Sequence, residues 1–186
     1  ADGPVRYTNR VGPTYQTGEP YGPVSPMLLG SQLGFGSSGL AAANAGGNNW
    51  AVGGYRTDQI LDTVNDQYLA PRAFRADSDA LYYLTGGGND FLQNLVLTPD
   101  LAGEAADRFA NSAQTLQRAG ARYIMVWLLP DISKTPAAAL AYPSPVLKEY
   151  ISGLSSAYND RLIARLAQLD AEIIPLNVPL MLSEVL

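Results

Sequence analysis

The apolar residues of this chain follow two alternating rhythms. After Thr98-Pro99-Asp100, residues Ala102, Ala105, Ala106, Phe109, Ala113 and Leu116 recur at spacings of three and four, and Gly120 closes the run. A stripe with that period lies on one face of an α-helix, and Thr-Pro at the start and Gly at the end are helix boundaries. The same punctuation opens a second helix at Ser144-Pro145, whose stripe is Leu147, Tyr150, Ile151, Leu154, Tyr158, Leu162, Leu166 and Leu169. A helix from about Thr57 places Ile60, Leu61, Val64 and Tyr68 on one face. A short one begins at Ser25-Pro26, carries Leu28, Leu29 and Leu33, and stops at Gly34.

Between these helices lie short runs of aromatic and β-branched residues: Trp50 to Val52, Ala80 to Thr85, Arg122 to Leu129 and Glu172 to Leu176. The last three are nearly continuous in apolar character, as strands buried on both faces require. Alternating strand and helix predict the α/β class, with a parallel sheet covered on both sides by helices. Crossovers are then right-handed, and a ligand crevice lies at the carboxyl ends of the strands. No repeat or linker divides the chain, so residues 1–186 read as one domain. Its first 47 residues hold 10 of the 18 glycines and 5 of the 13 prolines, which predicts irregular structure around the single short helix.

Composition narrows the chemistry. The chain is 47% hydrophobic and 16% charged, which is a globular balance. A net charge of −5 and a pI near 4.6 argue against a nucleic-acid partner, because phosphate binding needs clustered Lys and Arg and the only lysines are Lys134 and Lys148. There is no cysteine and no histidine. A Ser-His-Asp triad, a Cys nucleophile, a Zn-thiolate site and a His-ligated metal are therefore all excluded within these residues. No apolar run approaches the length of a membrane helix. Neither a metal nor an organic cofactor is implied.

In a parallel sheet the informative residues follow the strands. Gly53-Gly54-Tyr55-Arg56-Thr57 follows the first predicted strand, and Gly86-Gly87-Gly88-Asn89-Asp90 follows the second, so both loops belong to one sheet edge. A tight strand-to-helix turn explains one or two glycines. Three glycines bring the backbone close to something and then present an amide and a carboxylate. The second loop lacks the third glycine of a dinucleotide fingerprint and the Lys-Ser or Lys-Thr of a Walker loop. Oxyanion stabilisation remains: the Gly54 amide and the Asn89 side-chain amide are neutral donors suited to charge developing on a carbonyl oxygen.

These residues carry a family resemblance. Asn49-Trp50-Ala51-Val52-Gly53-Gly54-Tyr55-Arg56-Thr57 and Gly86-Gly87-Gly88-Asn89-Asp90 resemble the second and third sequence blocks of the GDSL (SGNH) hydrolases. Thr8-Asn9-Arg10-Val11-Gly12-Pro13, together with Ala121-Arg122-Tyr123-Ile124 and Trp127-Leu128-Leu129-Pro130-Asp131, narrows the resemblance to the esterase passenger domains of bacterial autotransporters. The resemblance implies an SGNH-type α/β/α sandwich that hydrolyses carboxylic esters through a Ser acyl-enzyme. Gly54 matches the oxyanion Gly and Asn89 the oxyanion Asn. Gly53 is set aside because the family's oxyanion Gly directly precedes the position held by Tyr55. The substrate is then a small-molecule or lipid ester, and the protein is displayed outside the cell, held in the outer membrane by a C-terminal β-barrel.

Two blocks of that pattern are missing. No Gly-Asp-Ser-Leu occurs, and an Asp-x-x-His block is impossible without histidine. The resemblance therefore implies the middle of an esterase, truncated and with an incomplete sheet, that supplies the oxyanion hole and is inactive alone. The alternative is a non-catalytic, surface-displayed binding domain on the same fold.

Several other side chains are read structurally. Asp58, Asp62 and Asp66 form a solvated helix face, and Asp77 and Asp79 are loop acids. Arg56 belongs to a salt bridge, Tyr82, Tyr83 and Trp127 pack in the sheet layers, and Ser25 and Ser144 cap helices. Tyr55 is a candidate for lining an acyl pocket. Asp131 is left between capping the next turn and touching the site.

Overall fold

The computed structural model describes residues 25–35, 47–93, 96–141 and 144–184. The Thr8–Pro13 stretch and most of the Gly- and Pro-rich region expected to be irregular lie outside the described residues. The chain divides into two compact units, Ala1–Gly54 and Tyr55–Leu186.

In the first unit, α1 spans Ser25–Gln32, and Gly34 follows it at φ +80°, the left-handed conformation that ends a helix. The strand expected at Trp50–Val52 is not formed: these residues have no regular structure, and Asn49 makes only an isolated bridge. The Ala51 N–H donates to the Asn49 side-chain oxygen at 3.1 Å, a local bond that competes with a strand ladder.

The second unit is the α/β body. Helix α2 (Thr57–Asp62) runs into a π-helical segment, Thr63–Leu69, and then a 3-10 turn, Ala70–Arg72. Strand β1 (Leu81–Leu84) leads through the glycine loop to the short helix α3 (Gly88–Leu92) and on to α4 (Pro99–Arg118). Strand β2 (Tyr123–Trp127) is followed by a 3-10 turn (Ile132–Lys134), α5 (Pro136–Ala141) and the long α6 (Pro145–Leu166). Strand β3 (Glu172–Leu176) and α7 (Val178–Ser183) complete it. The sheet is parallel with order β1-β2-β3, and its register places Tyr82 beside Ile124 and Ile124 beside Ile173. Each crossover between neighbouring strands is helical, as a parallel sheet demands.

Local chemistry sets the boundaries. The Thr98 hydroxyl accepts from the Leu101 N–H at 3.3 Å, an N-cap worth about 1 kcal/mol, and Pro99 takes the first helical position, where no N–H is needed. Ser144 holds the cap position of α6, yet its hydroxyl accepts no helix amide, so Pro145 alone marks that start. Gly120 at φ +111° lies just beyond α4.

One core joins helix and sheet. Phe109, Ala113 and Leu116 of α4, Leu154, Tyr158 and Leu162 of α6, and Ile124 and Val126 of β2 are all almost fully buried in it. The alternate positions of β2 differ: Met125 and Trp127 are half-buried and Tyr123 is 37% exposed. The expectation of strands buried on both faces is met only in part: β2 buries Ile124 and Val126, β1 buries Leu84, and none of the five residues of β3 is fully buried. A continuous apolar run counts side chains and not the layers that cover them. Across α4 and α6, Asp107 receives Arg161 at 2.8 Å and Arg165 at 2.9 Å, with Asn111 taking the second Arg165 nitrogen at 3.0 Å.

Candidate active site

The second glycine loop sits at the carboxyl end of β1, where a parallel sheet presents its functional groups. Its glycines face the protein's own core. A Cβ on Gly86 would run into Ile60 and the Phe109 ring; one on Gly87 would stand 2.6 Å from the Tyr158 hydroxyl. Gly87 also has φ +97°, so both its backbone and its surroundings require glycine. Gly88 meets only Ile132, at 3.8 Å. Close internal packing thus accounts for two of the three glycines, and it fixes where α3 begins.

Helix α3 then presents Asn89 and Asp90. The Asn89 side-chain amide donates to the Tyr55 carbonyl at 2.9 Å, which holds its rotamer and leaves a second N–H with no other hydrogen bond among the described residues. Asp90 is 1% exposed. One of its oxygens accepts from the Thr57 N–H at 3.0 Å and the other from the Thr57 hydroxyl at 2.7 Å. Arg108 of α4 donates to the Thr57 hydroxyl oxygen at 3.4 Å and stands 3.9 Å from the carboxylate. Beneath the loop, Tyr158 packs edge-on against Phe91, with ring centroids 6.0 Å apart. Its buried hydroxyl has no hydrogen-bond partner among the described residues. Burial first, and the Asp90 charge second, push that phenol well above its usual range.

The other expected residues fall as follows. Gly54 has φ +87° and open space where a Cβ would stand, so backbone conformation alone selects glycine there. Arg56 pairs with Asp58 at 2.9 Å and reaches the Gln93 side chain at 3.2 Å, a structural ion pair. Asp131 caps its turn, accepting from the Ser133 N–H and the Ser152 hydroxyl. Tyr82 shares a 2.9 Å hydrogen bond with Tyr68, and Tyr83 packs edge-on against Trp127. Among the described residues no cluster of acids could hold a metal ion. Sequence reasoning missed three residues that organise this region: Thr57, Tyr158, and Asn159, whose side chain bonds both backbone groups of Leu129 at 2.8 Å. The available signal was Asp90 itself, a carboxylate on a short helix next to an apolar residue, which needs buried donors from elsewhere in the chain.

The parallel α/β sheet, with Asn89 pinned beyond the carboxyl end of β1, agrees with the comparison to known families. The chain belongs to the GDSL-like lipase/acylhydrolase family, which matches residues 11–181. It is 50% identical over 210 residues to esterase EstA of Pseudomonas aeruginosa and equally to esterase EstA of Pseudomonas putida, covering 96% of this chain and 32% of each relative. A protein encoded in the trpE-trpG intergenic region of Pseudomonas putida is 46% identical over 214 residues, covering 99% of this chain and 34% of that protein. The chain thus spans about a third of the length of the curated relatives it matches.

Proposed function

We propose that this chain is the oxyanion-stabilising part of a carboxylic ester hydrolase, with Asn89 Nδ2 and the Gly54 N–H as the two donors. The observation that carries the reading is the anchoring of Asn89. One N–H of its amide is spent on the Tyr55 carbonyl, and Tyr55 follows Gly54 in the chain. A donor held before the reaction begins needs no reorganisation as charge develops on the carbonyl oxygen, which makes such groups effective.

The acyl-forming Ser and the His and Asp that move its proton belong, on this reading, to the remainder of the longer protein. This chain contains no imidazole to act as base. In the first step Ser Oγ attacks the ester carbon as His takes its proton. The carbonyl π-electrons move onto oxygen, the Asn89 and Gly54 N–H groups donate hydrogen bonds to the resulting oxyanion, and collapse expels the alcohol, protonated by His. Water then repeats the sequence on the acyl-enzyme. No step calls for a metal or cofactor. Names of the relatives support an ester substrate, and their greater length accommodates a C-terminal barrel that would display this domain outside the cell.

The test is steady-state hydrolysis of a soluble p-nitrophenyl ester by the complete protein. Asn89→Ala is expected to lower kcat about 100- to 1,000-fold with KM little changed, the signature of an interaction made only in the transition state. An unchanged kcat removes Asn89 from the mechanism.

A further inference from the structure

Asn89 and Asp90 are consecutive, and they hold alternate residues of one segment. Asn89 takes the Tyr55 carbonyl, Asp90 takes the amide and hydroxyl of Thr57, and the intervening Arg56 turns away to Asp58 and Gln93. The Tyr55–Thr57 segment is thereby gripped at two points by one helical turn. The grip is costly to build. A carboxylate 1% exposed has lost its water, and its nearest cation, Arg108, is at 3.9 Å, so hydrogen bonds from Thr57 carry most of the compensation. Thr57 is itself fully buried, and its hydroxyl both donates to Asp90 and accepts from Arg108, which leaves it a single orientation. An apolar pair would pack the two helices together at no such cost. A buried carboxylate adds direction: it fixes the rotation of α3, and with it the line along which the free Asn89 N–H points.

We propose that Asp90, acting through Thr57, is a positioning residue for the Asn89 donor. This rests on the oxyanion reading of Asn89 and extends it to a pair of residues that touch no substrate. A displacement of about 1 Å in a catalytic donor can cost on the order of 100-fold in rate, so loosening this grip should register in kcat.

The experiment is a double-mutant cycle on the complete protein, reading kcat and KM for a soluble p-nitrophenyl ester. Asp90→Asn and Thr57→Val are each made in the native and the Asn89→Ala backgrounds, with Thr57→Ser, which keeps both donors, as the rescue. In the native background each of the first two variants is expected to lower kcat about 10- to 100-fold at unchanged KM, with Thr57→Ser recovering most of the loss. In the Asn89→Ala background the further loss should shrink to less than about 3-fold, because the group being positioned is gone. Equal losses in the two backgrounds would overturn the proposal and make Asp90 a general structural residue. So would a Thr57→Val enzyme with native kcat, and that variant decides the matter if Asp90→Asn fails to fold. If Asn89→Ala alone leaves kcat intact, the oxyanion reading fails first, and the cycle shows this separately.

Discussion

Gly87→Ala isolates the packing that seats the Gly86–Asp90 loop. Two costs add at this position. The backbone sits at φ +97°, where a Cβ-bearing residue is strained by about 1–3 kcal/mol. The new Cβ would lie 2.6 Å from Tyr158 Oη and 2.8 Å from Cζ, well inside ordinary contact. The Tyr158 ring is fully buried and held edge-on by Phe91, so it cannot swing aside, and overpacking adds about 1–3 kcal/mol. The sum is about 2–6 kcal/mol. Gly54→Ala provides the control, because its φ of +87° carries the strain while its Cβ meets nothing within 4 Å. Urea unfolding followed by far-UV circular dichroism should therefore rank Gly87→Ala as clearly the less stable variant. Adding Tyr158→Phe to Gly87→Ala removes the closest contact and should recover part of the loss. Tyr158→Phe alone should cost nothing, since the hydroxyl it deletes has no hydrogen-bond partner among the described residues. Equal destabilisation by the two alanine variants, or a Tyr158→Phe cost above about 1 kcal/mol, would refute the reasoning.

Two further outcomes concern the frame around the site. The Arg161 hydrogen bond, assisted by Arg165, holds the Asp107 carboxyl below its usual value of 3.8. A depressed folded-state value means the stabilisation is complete above that pH and is lost as pH falls through the folded value. Asp107→Asn should thus lower the urea midpoint at neutral pH, and the gap to the native protein should close in strong acid. Asn159→Ala strips both partners from the Leu129 backbone at the end of β2 and should cost about 2–4 kcal/mol by the same unfolding assay.

Much of this was written in the chain's local patterns. The stripes that start at Pro99 and Pro145 became α4 and α6, and the runs at Tyr82, Ile124 and Ile173 became three parallel strands, because period and punctuation are local properties. The α2 stripe was also legible, but its π-helical continuation was not. There the Thr63 hydroxyl and the Asn65 amide bond the carbonyls of Gln59 and Leu61 four residues back, a competition that apolar spacing does not record. No strand forms at Trp50–Val52, where the Asn49 side chain holds the Ala51 N–H, a contact that apolar spacing does not record either. At the site, Asn89 stood out by its glycines. The glycines' actual neighbours, Phe109 and Tyr158, and the partner of Asp90 at Thr57 are far away in sequence. Pairings over that range follow from tertiary packing, which no window of residues contains.

The central claim is that Asn89 polarises an ester carbonyl, and a crystal structure of the complete protein reacted with a fluorophosphonate tests it most directly. The account predicts a phosphonylated serine whose phosphoryl oxygen lies about 2.7–3.1 Å from Asn89 Nδ2 and from the Gly54 nitrogen, with the Asn89 bond to Tyr55 retained. An adduct whose oxygen is held by other donors, with Asn89 turned away, would contradict it.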